Sequence, residues 1–275
     1  MKSFLLFLAV VAAVAAYEQP LIHYHSAAGI AQAERIKQFE SALDFDGSSR
    51  IAGGQSGGLI ISLTNGRQSA CGSSMLTNTR AVTAAHCWWD GQNQGRQITV
   101  VYGSNRLFSG GVRVNTNNVQ MHQQYNTRTL HNDIAIIVHG HVGFSNTINR
   151  VNIASGNNNF AGQTATAAGY GRIGDNVDIS PNQDKRQVNM PVITNAACIS
   201  TFGPISIISS TLCTSGAGGR SICPGDSGGP LTVGSGNNRV LIGVSSFVHI
   251  SGCTRGHPAG FARVTSFNNW IRQRL

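Results

Sequence analysis

The sequence predicts an all-β fold made of many short strands, arranged as one large β architecture or as two small barrels. The chain has 275 residues, of which 41% are apolar and 33 are glycine, so it can fill a core and form many tight turns. From Ile51 onward, strand-like runs such as RQITVVYGS, DIAIIVHG and RVLIGVSSF alternate with clusters of turn residues. The Asn- and Gly-rich stretch at 155–163 is where we expect the boundary between two β units.

The first sixteen residues have the pattern of a secretion signal. After Lys2 comes FLLFLAVVAAVAA, thirteen apolar residues in a row. This run is too short for a membrane-spanning helix and typical of a signal-peptide core. Small residues at Val14 and Ala16 predict cleavage after Ala16. No later stretch reaches the roughly 18 consecutive apolar residues that a membrane span needs, so we expect a soluble, secreted protein that does not interact with a membrane.

Residues 17–50 differ in character from the chain that follows. Apolar residues such as Ile30 and Ile36 recur at helical spacing. The polar loop DGSSR then ends at Arg50, and the flexible sequence IAGG begins at Ile51. This change at a lone basic residue predicts a processing site, which would make residues 17–50 a propeptide. An ordinary interdomain linker is the alternative.

The C-terminal sequence VTSFNNWIRQRL predicts a helix. Ser266 could cap its start, and Trp270 and Ile271 could pack on the core. Arg272 and Arg274 suit the negative end of the helix dipole. We therefore expect the chain to end in a short helix.

Cysteine number and net charge narrow the function classes. An even number of cysteines in a secreted chain predicts three disulfides, although six cysteines allow fifteen pairings and spacing alone does not choose among them. A zinc site is the alternative, weakened by the absence of any CxxC motif. The net charge of +9 comes from scattered arginines without aromatic interleaving, so we expect no nucleic-acid partner. The cysteines are Cys71, Cys87, Cys198, Cys213, Cys223 and Cys253.

Three short motifs contain the residue types needed for acyl transfer by a serine. Ser227 lies in GDSGGP, His86 lies in TAAHC and Asp133 lies in HNDIAII. A serine nucleophile needs a base to take its proton, an acid to orient that base and donors for the oxyanion. Each residue alone has an ordinary structural explanation as a turn, a loop or a strand cap. Their combination in the order His, Asp, Ser is a sharper signal, because unrelated folds with this chemistry use other orders.

The sequence resembles the chymotrypsin-like (S1) serine endopeptidases, and within them the insect digestive chymotrypsins. The matching motifs are spread over residues 51–275. This resemblance implies a peptidase domain of two six-stranded antiparallel β-barrels, with the active site between them and a C-terminal helix. The motifs are IAGG at 51–54, TAAHC at 83–87, NDIA at 132–135, GDSGGP at 225–230 and PAGFARV at 258–264.

The resemblance assigns a role to each motif residue. Ser227 would be the nucleophile, His86 the general base and then acid, and Asp133 the residue that holds the imidazole in its useful tautomer. The backbone N–H groups of Gly225 and Ser227 would form the oxyanion hole. The implied disulfides are Cys71–Cys87, Cys198–Cys213 and Cys223–Cys253.

The resemblance also implies activation by proteolysis. A trypsin-like protease would cut after Arg50 and free the amino group of Ile51. That amine would enter the protein and pair with Asp226, ordering the specificity pocket and the oxyanion hole. A buried aspartate needs such a partner, and cleavage is the event that creates it.

The same resemblance places five residues around the primary specificity pocket. Ser221 would lie at its bottom, Ala259 on its floor, and Ser246, Phe247 and Val248 along one wall. With no acidic residue at the bottom, the pocket is expected to take large apolar P1 side chains (Phe, Tyr, Leu, Met). Val248 would narrow the entrance, so an elastase-like preference for small apolar residues is the alternative.

Among the charged residues of 51–275, arginine greatly outnumbers lysine, and glutamate is absent. This part has fifteen Arg, one Lys, six Asp and no Glu, so sixteen positive and six negative charges give +10. Arginine keeps its charge in strong alkali, whereas lysine loses it near a pH of about 10. One hypothesis is a digestive enzyme of an alkaline gut lumen; codon bias is the alternative.

Because the calcium loop of related enzymes uses glutamates, we expect no metal ion and no cofactor.

The expected partners are protein or peptide substrates and the activating protease, and the expected oligomeric state is a monomer. Two other functions stay open. One is a collagen-cleaving enzyme. The other is a secreted protease homologue that binds partners without cleaving them, which is disfavoured because such proteins usually lack a triad residue.

Overall fold

Two seven-stranded sheets form the framework of the computed structural model, which describes residues 20–41, 55–175, 177 and 184–275. The first sheet has the order β5-β4-β1-β2-β3-β7-β6 and is antiparallel throughout. Its strands are β1 (Ser56–Leu63), β2 (Gln68–Thr77), β3 (Arg80–Thr83), β4 (Gly95–Tyr102), β5 (Val112–Thr116), β6 (Val119–Met121) and β7 (Ala135–Val138).

The second sheet closes on itself. Its order is β12-β9-β10-β11-β14-β13-β8, and β12 also pairs with β13, so six of its strands form a closed ring. The seventh, β8, adds a two-residue parallel pairing to β13. Its strands are β8 (Asn152–Ile153), β9 (Thr164–Gly169), β10 (Arg186–Ile193), β11 (Thr211–Thr214), β12 (Pro230–Val233), β13 (Val240–Phe247) and β14 (Ala259–Arg263).

These sheets confirm the all-β class and its two barrel-like units. The closed ring of the second sheet has the six strands expected of a barrel, and the first sheet has one more than expected. The stretch 155–163 joins β8 to β9, and the antiparallel strands of the second sheet begin after it. Buried side chains from both sheets form one continuous apolar cluster, which includes Ile136, Leu231 and Phe261.

Three α-helices in the described ranges lie outside the sheets. Helix α1 (Ile30–Ser41) follows a π-helical turn, His25–Gly29. Helix α2 (Asn195–Ser206) is interrupted at Gly203, which has a φ of 74°. The predicted C-terminal helix is present as α3 (Val264–Arg272), but it begins two residues before Ser266, which therefore lies in its first turn and does not cap it.

All three disulfides have the pairing that the resemblance implied, Cys71–Cys87, Cys198–Cys213 and Cys223–Cys253. The residues 1–19 and 42–54 lie outside the described part of the chain, and with them the predicted signal peptide and the bond between Arg50 and Ile51. No helix in the described ranges is long and apolar enough to cross a bilayer.

A buried arginine joins the end of β14 to two loops and to the first residues of β11 and α2. Arg263 donates to the carbonyl oxygens of Ser209 (3.0 Å), Asn159 (3.2 Å) and Thr211 (2.7 Å), and to Oδ1 of Asn195 (2.8 Å). Burial lowers the pKa of its guanidinium. A planar group with five fixed donors can make all four bonds at once, whereas a lysine cannot.

Replacing this residue tests its contribution to the fold. Arg263→Lys should lower the free energy of unfolding by about 2–4 kcal/mol, because several buried carbonyl groups lose their donor. Arg272→Lys, on the exposed side of α3, should change it by less than about 0.5 kcal/mol. Urea unfolding of both variants gives the comparison, and equal effects would contradict this role.

Candidate active site

A tight turn after β3 positions the predicted histidine. Ala85–Cys87 form one turn of 3₁₀-helix, and the Cys71–Cys87 disulfide ties that turn to β2. The backbone N–H of His86 donates to Oδ1 of Asp133 (2.9 Å), and its ring Nδ1 lies 2.6 Å from Oδ2 of the same carboxylate. Both side chains are buried. Two bonds between the same residues fix the orientation of the imidazole ring and leave Nε2 directed away from the acid.

Ser246 is the third member of this buried group. Its hydroxyl donates to Oδ2 of Asp133 at 2.6 Å. The sequence places Ser246 in the wall of a specificity pocket and carries no signal for this bond, because the two residues are 113 positions apart. The carboxylate of Asp133 thus accepts three hydrogen bonds, which offset the cost of burying its charge.

The predicted nucleophile lies on a glycine-rich turn that packs against the first sheet. The carbonyl of Ser227 accepts the N–H of Gly72 (2.7 Å), and the N–H of Gly228 donates to Ser245 O (2.7 Å). Gly225 and Gly228 have φ values of 104° and 78°, a region that favours glycine. The backbone conformation therefore favours glycine at positions 225 and 228 independently of any chemistry.

Asp226, next to Ser227, is held by main-chain donors. Its Oδ1 accepts the N–H of Gly171 (2.8 Å), and its Oδ2 accepts the N–H of Cys223 (2.9 Å). Desolvation outweighs these bonds and raises the pKa of Asp226 to about 6. Its predicted partner, the amine of Ile51, lies outside the described residues.

Part of the chain upstream of the peptidase motifs lies in the cleft. We call residues 20–41 the N-terminal segment. Its Tyr24 hydroxyl accepts the N–H of Gly225 (3.1 Å) and donates to Ala70 O (2.6 Å). The ring of Tyr24 packs on His86, with 4.8 Å between the ring centroids. Nε2 of His86 is buried with no hydrogen-bond partner among the described residues.

The five predicted pocket residues do not surround one cavity here. Ser246, Phe247 and Val248 line a cavity of about 20 Å³ together with Tyr24 and Ser227.

The other two predicted pocket residues lie elsewhere. Ser221 lines a separate cavity of about 270 Å³, which Asp226 also borders. Ala259 is fully buried in β14, opposite Thr214. The role of these residues in substrate binding stays a prediction.

One cluster of possible metal ligands occurs in the described ranges, and its chemistry argues against a metal. It consists of Cys71, His86 and Cys87. The two sulfur atoms form a disulfide, so neither is available as the thiolate that a transition metal would bind.

Comparison with known proteins places the chain in a family. The family model described as Trypsin matches residues 46–271. The chain is 37% identical to a collagenase of Hypoderma lineatum, over 78% of this chain and 80% of that protein. It is 38% identical to serine protease 1 of Drosophila melanogaster, over 74% of each chain. It is 39% identical to alkaline trypsin B of Manduca sexta, over 74% and 78% of the two chains.

A solved structure supports the same assignment. A structure of HL collagenase superposes with a TM-score of 0.73 at 37% sequence identity, covering 80% of this chain and 93% of the other. In this fold the structure pairs His86 with Asp133, and Nε2 of His86 makes no hydrogen bond to Ser227 Oγ. The chain therefore belongs to the trypsin family of chymotrypsin-like serine proteases.

Proposed function

We propose that this serine protease is secreted as a zymogen, is activated by cleavage after Arg50 and has a digestive role. It would hydrolyse protein substrates at apolar P1 residues. The observation that best supports this proposal is the buried pair of His86 and Asp133, joined by two hydrogen bonds, in a chain whose Ser227 lies between glycines of positive φ at 225 and 228. Three disulfides suit a secreted protein.

The proposed reaction is acyl transfer through Ser227. Its Oγ attacks the substrate carbonyl carbon while Nε2 of His86 takes the hydroxyl proton. The negative oxygen that forms accepts the N–H groups of Gly225 and Ser227. His86 then gives its proton to the leaving amine, and the C–N bond breaks to leave an acyl-enzyme. The same imidazole then takes a proton from water, whose oxygen attacks the ester carbon. The bond from that carbon to Ser227 Oγ breaks, the imidazolium returns its proton to Oγ, and the carboxylic acid product leaves.

Activation is proposed to act through Asp226. In the uncut chain its carboxyl is desolvated and its pKa is raised to about 6. The two backbone N–H groups that bond to this carboxylate carry no net charge. An ammonium group brought beside it would supply the opposite charge. Cleavage after Arg50 creates that group at Ile51, whose free amine has an ordinary pKa of about 8. The ion pair would hold the amine charged to higher pH.

The proposed specificity rests on the absence of an acidic residue at Ser221. Arginine and lysine side chains would find no counter-ion there, so apolar P1 residues are favoured. Val248, which borders the small cavity, supports the alternative preference for small apolar residues. A collagenase among the relatives keeps collagen as a possible substrate.

Alkaline operation in a gut lumen is part of the proposal. Lys185, the one lysine of residues 51–275, is buried, and its Nζ donates to Ser56 O at 3.3 Å. Burial lowers the pKa of Lys185 to about 8. The cations exposed in this region are therefore arginines, which keep their charge in alkali. One relative is itself named an alkaline trypsin.

Profiling of P1 preference tests the proposal. Residues 17–275 would be expressed, cut with trypsin and assayed on a peptide library varied at P1, with Ser227→Ala as the control. We expect turnover after Phe, Tyr, Leu and Met. Preference for Ala or Val would favour the elastase-like alternative. Protein that trypsin has cut both after Arg50 and at Arg35 or Lys37, and that is no more active than Ser227→Ala, would overturn the proteolytic function.

The pKa of Asp226 predicts a pH-dependent cost in the uncut chain. The carboxyl of Asp226 has a pKa of about 6 in the folded chain and the usual 3.8 in the unfolded chain, so the folded chain binds its proton more tightly. This binding stabilises the fold fully below pH 4, and the stabilisation is lost as the pH rises through 6. Relative to Asp226→Asn, wild type should lose about 2 kcal/mol between pH 4 and pH 7. Urea unfolding at both pH values measures this, and a constant difference would contradict it.

The bond from Ser246 to Asp133 predicts a positioning role. Ser246→Ala should lower kcat about tenfold and shift the acidic limb of the pH–rate profile, because Asp133 loses a donor and holds the imidazole differently. Ser245→Ala is a matched control, since the buried Ser245 hydroxyl has no hydrogen-bond partner in the described residues. Equal profiles for the two variants would rule out this role.

A further inference from the structure

The N-terminal segment enters the cleft as an added strand. Pro20 forms an antiparallel bridge with His249, and the N–H of Leu21 donates to Val248 O at 3.2 Å. This main-chain pairing lies along the wall that the proposed function assigns to substrate. An extended peptide that adds to a sheet edge gains affinity from backbone bonds that do not depend on its side chains. His23, with a φ of 54°, then turns the chain.

Tyr24 occupies the position of the oxyanion. Its hydroxyl oxygen accepts the N–H of Gly225, which is the donor assigned to the developing negative charge. The same hydroxyl donates to Ala70 O, so both its polar functions are satisfied. The ring covers His86 and leaves 2% of that residue exposed. A substrate carbonyl cannot reach the Gly225 N–H while this phenol is present.

The segment blocks the site without offering a bond to cut at Tyr24. A phenol oxygen carries no acyl group, so nothing at the oxyanion position can be transferred to Ser227. Burial raises the pKa of the Tyr24 hydroxyl. The hydroxyl therefore stays protonated, and remains a donor to Ala70, through neutral and moderately alkaline conditions.

Further contacts attach the segment to the first sheet. The N–H of His25 donates to Oδ2 of Asp90 (2.8 Å), and its ring Nδ1 lies 2.8 Å from Ser69 Oγ. In helix α1, Ala33 and Ile36 are buried in a small apolar cluster with residues that include Ile60, Ala70 and Tyr170.

The end of α1 and its inner face add polar contacts. The carboxylate of Glu40 accepts the N–H groups of Leu107 (2.5 Å) and Phe108 (2.8 Å). Gln32 is 2% exposed and donates to Tyr170 O at 3.3 Å.

No covalent link besides the main chain holds the segment in place. Residues 17–50 contain no cysteine, and all six cysteines form the three disulfides of the peptidase region. A cut after Arg50 would therefore convert the segment into a separate, non-covalent ligand. The segment also lies outside the residues matched by the family model, which begin at 46.

We propose that residues 20–41 are an inhibitor of this protease's own cleft, which stays bound after the cut at Arg50 until it dissociates or is itself cut. This inference rests on the proposed zymogen activation. Cleavage at Arg50 is then necessary for activity and not sufficient. Arg35 and Lys37, both exposed on α1, offer a trypsin-like activator a second place to cut and so to destroy the inhibitor.

The test separates the two cleavages. Residues 17–275 would be expressed with the sequence Asp-Asp-Asp-Asp-Lys in place of residues 46–50, so that enteropeptidase cuts before Ile51 and spares α1. The cut protein is assayed at about 1 μM and again after gel filtration in mild denaturant and refolding. We expect the excised segment to co-elute with the enzyme under native conditions, and activity to rise at least tenfold once it is removed.

Add-back of a synthetic peptide of residues 20–41 tests the contacts. It should inhibit the stripped enzyme in competition with substrate. The Tyr24→Ala peptide should bind about 100-fold more weakly, since it loses a buried ring and hydroxyl. The Tyr24→Phe peptide, which loses the hydroxyl alone, should lie between them. The Lys37→Ala peptide, altered on the exposed face, should match wild type.

Two readouts keep this inference distinct from the proposed function. An excised segment that elutes apart from the enzyme, with full activity from the moment of cutting, overturns the inference and leaves the protease assignment intact. A segment that co-elutes in a Tyr24-dependent way, on an enzyme that stays inactive after stripping, supports the binding and contradicts the activation proposal.

Discussion

The structure around the cleft depends on satisfying one buried carboxylate. Asp133 is 1% exposed, and an unpaired charge there would cost several kcal/mol. Two donors come from His86 at the end of β3, and the third comes from Ser246 at the end of β13. The carboxylate therefore joins the two sheets and fixes the direction of the histidine ring at the same time. The serine turn then has to approach that ring from the second sheet.

Closure of the second sheet explains how the serine turn is held. Strand β12 begins at Pro230, just after the turn, and pairs with both β9 and β13. The turn is thereby anchored at its C-terminal end, while the Cys223–Cys253 disulfide anchors the other. A loop restrained at both ends can hold its glycines in one of the many conformations that glycine allows. The same restraints fix the direction of the Gly225 N–H, which here donates to the hydroxyl oxygen of Tyr24.

Local motifs made much of this site predictable from sequence. His86, Asp133 and Ser227 lie in short motifs, and the disulfide pairings followed from the family resemblance, since spacing alone leaves fifteen choices. Contacts between distant residues left no such signal. Gly225 and Tyr24 are 201 positions apart, and nothing in the helical pattern of residues 17–50 indicates where that segment docks. Strands as short as β6 and β8, with three and two residues, also escape pattern analysis.

The central claim is that Ser227 is the nucleophile and that Tyr24 blocks it. Labelling with a fluorophosphonate, which phosphonylates an activated serine hydroxyl, tests both parts when the modified residue is identified by mass spectrometry. We expect rapid labelling of Ser227 in the cut enzyme freed of residues 20–41, and labelling slower by at least about tenfold while the segment is bound. Labelling at another residue, or at equal rates in the two states, would contradict the account.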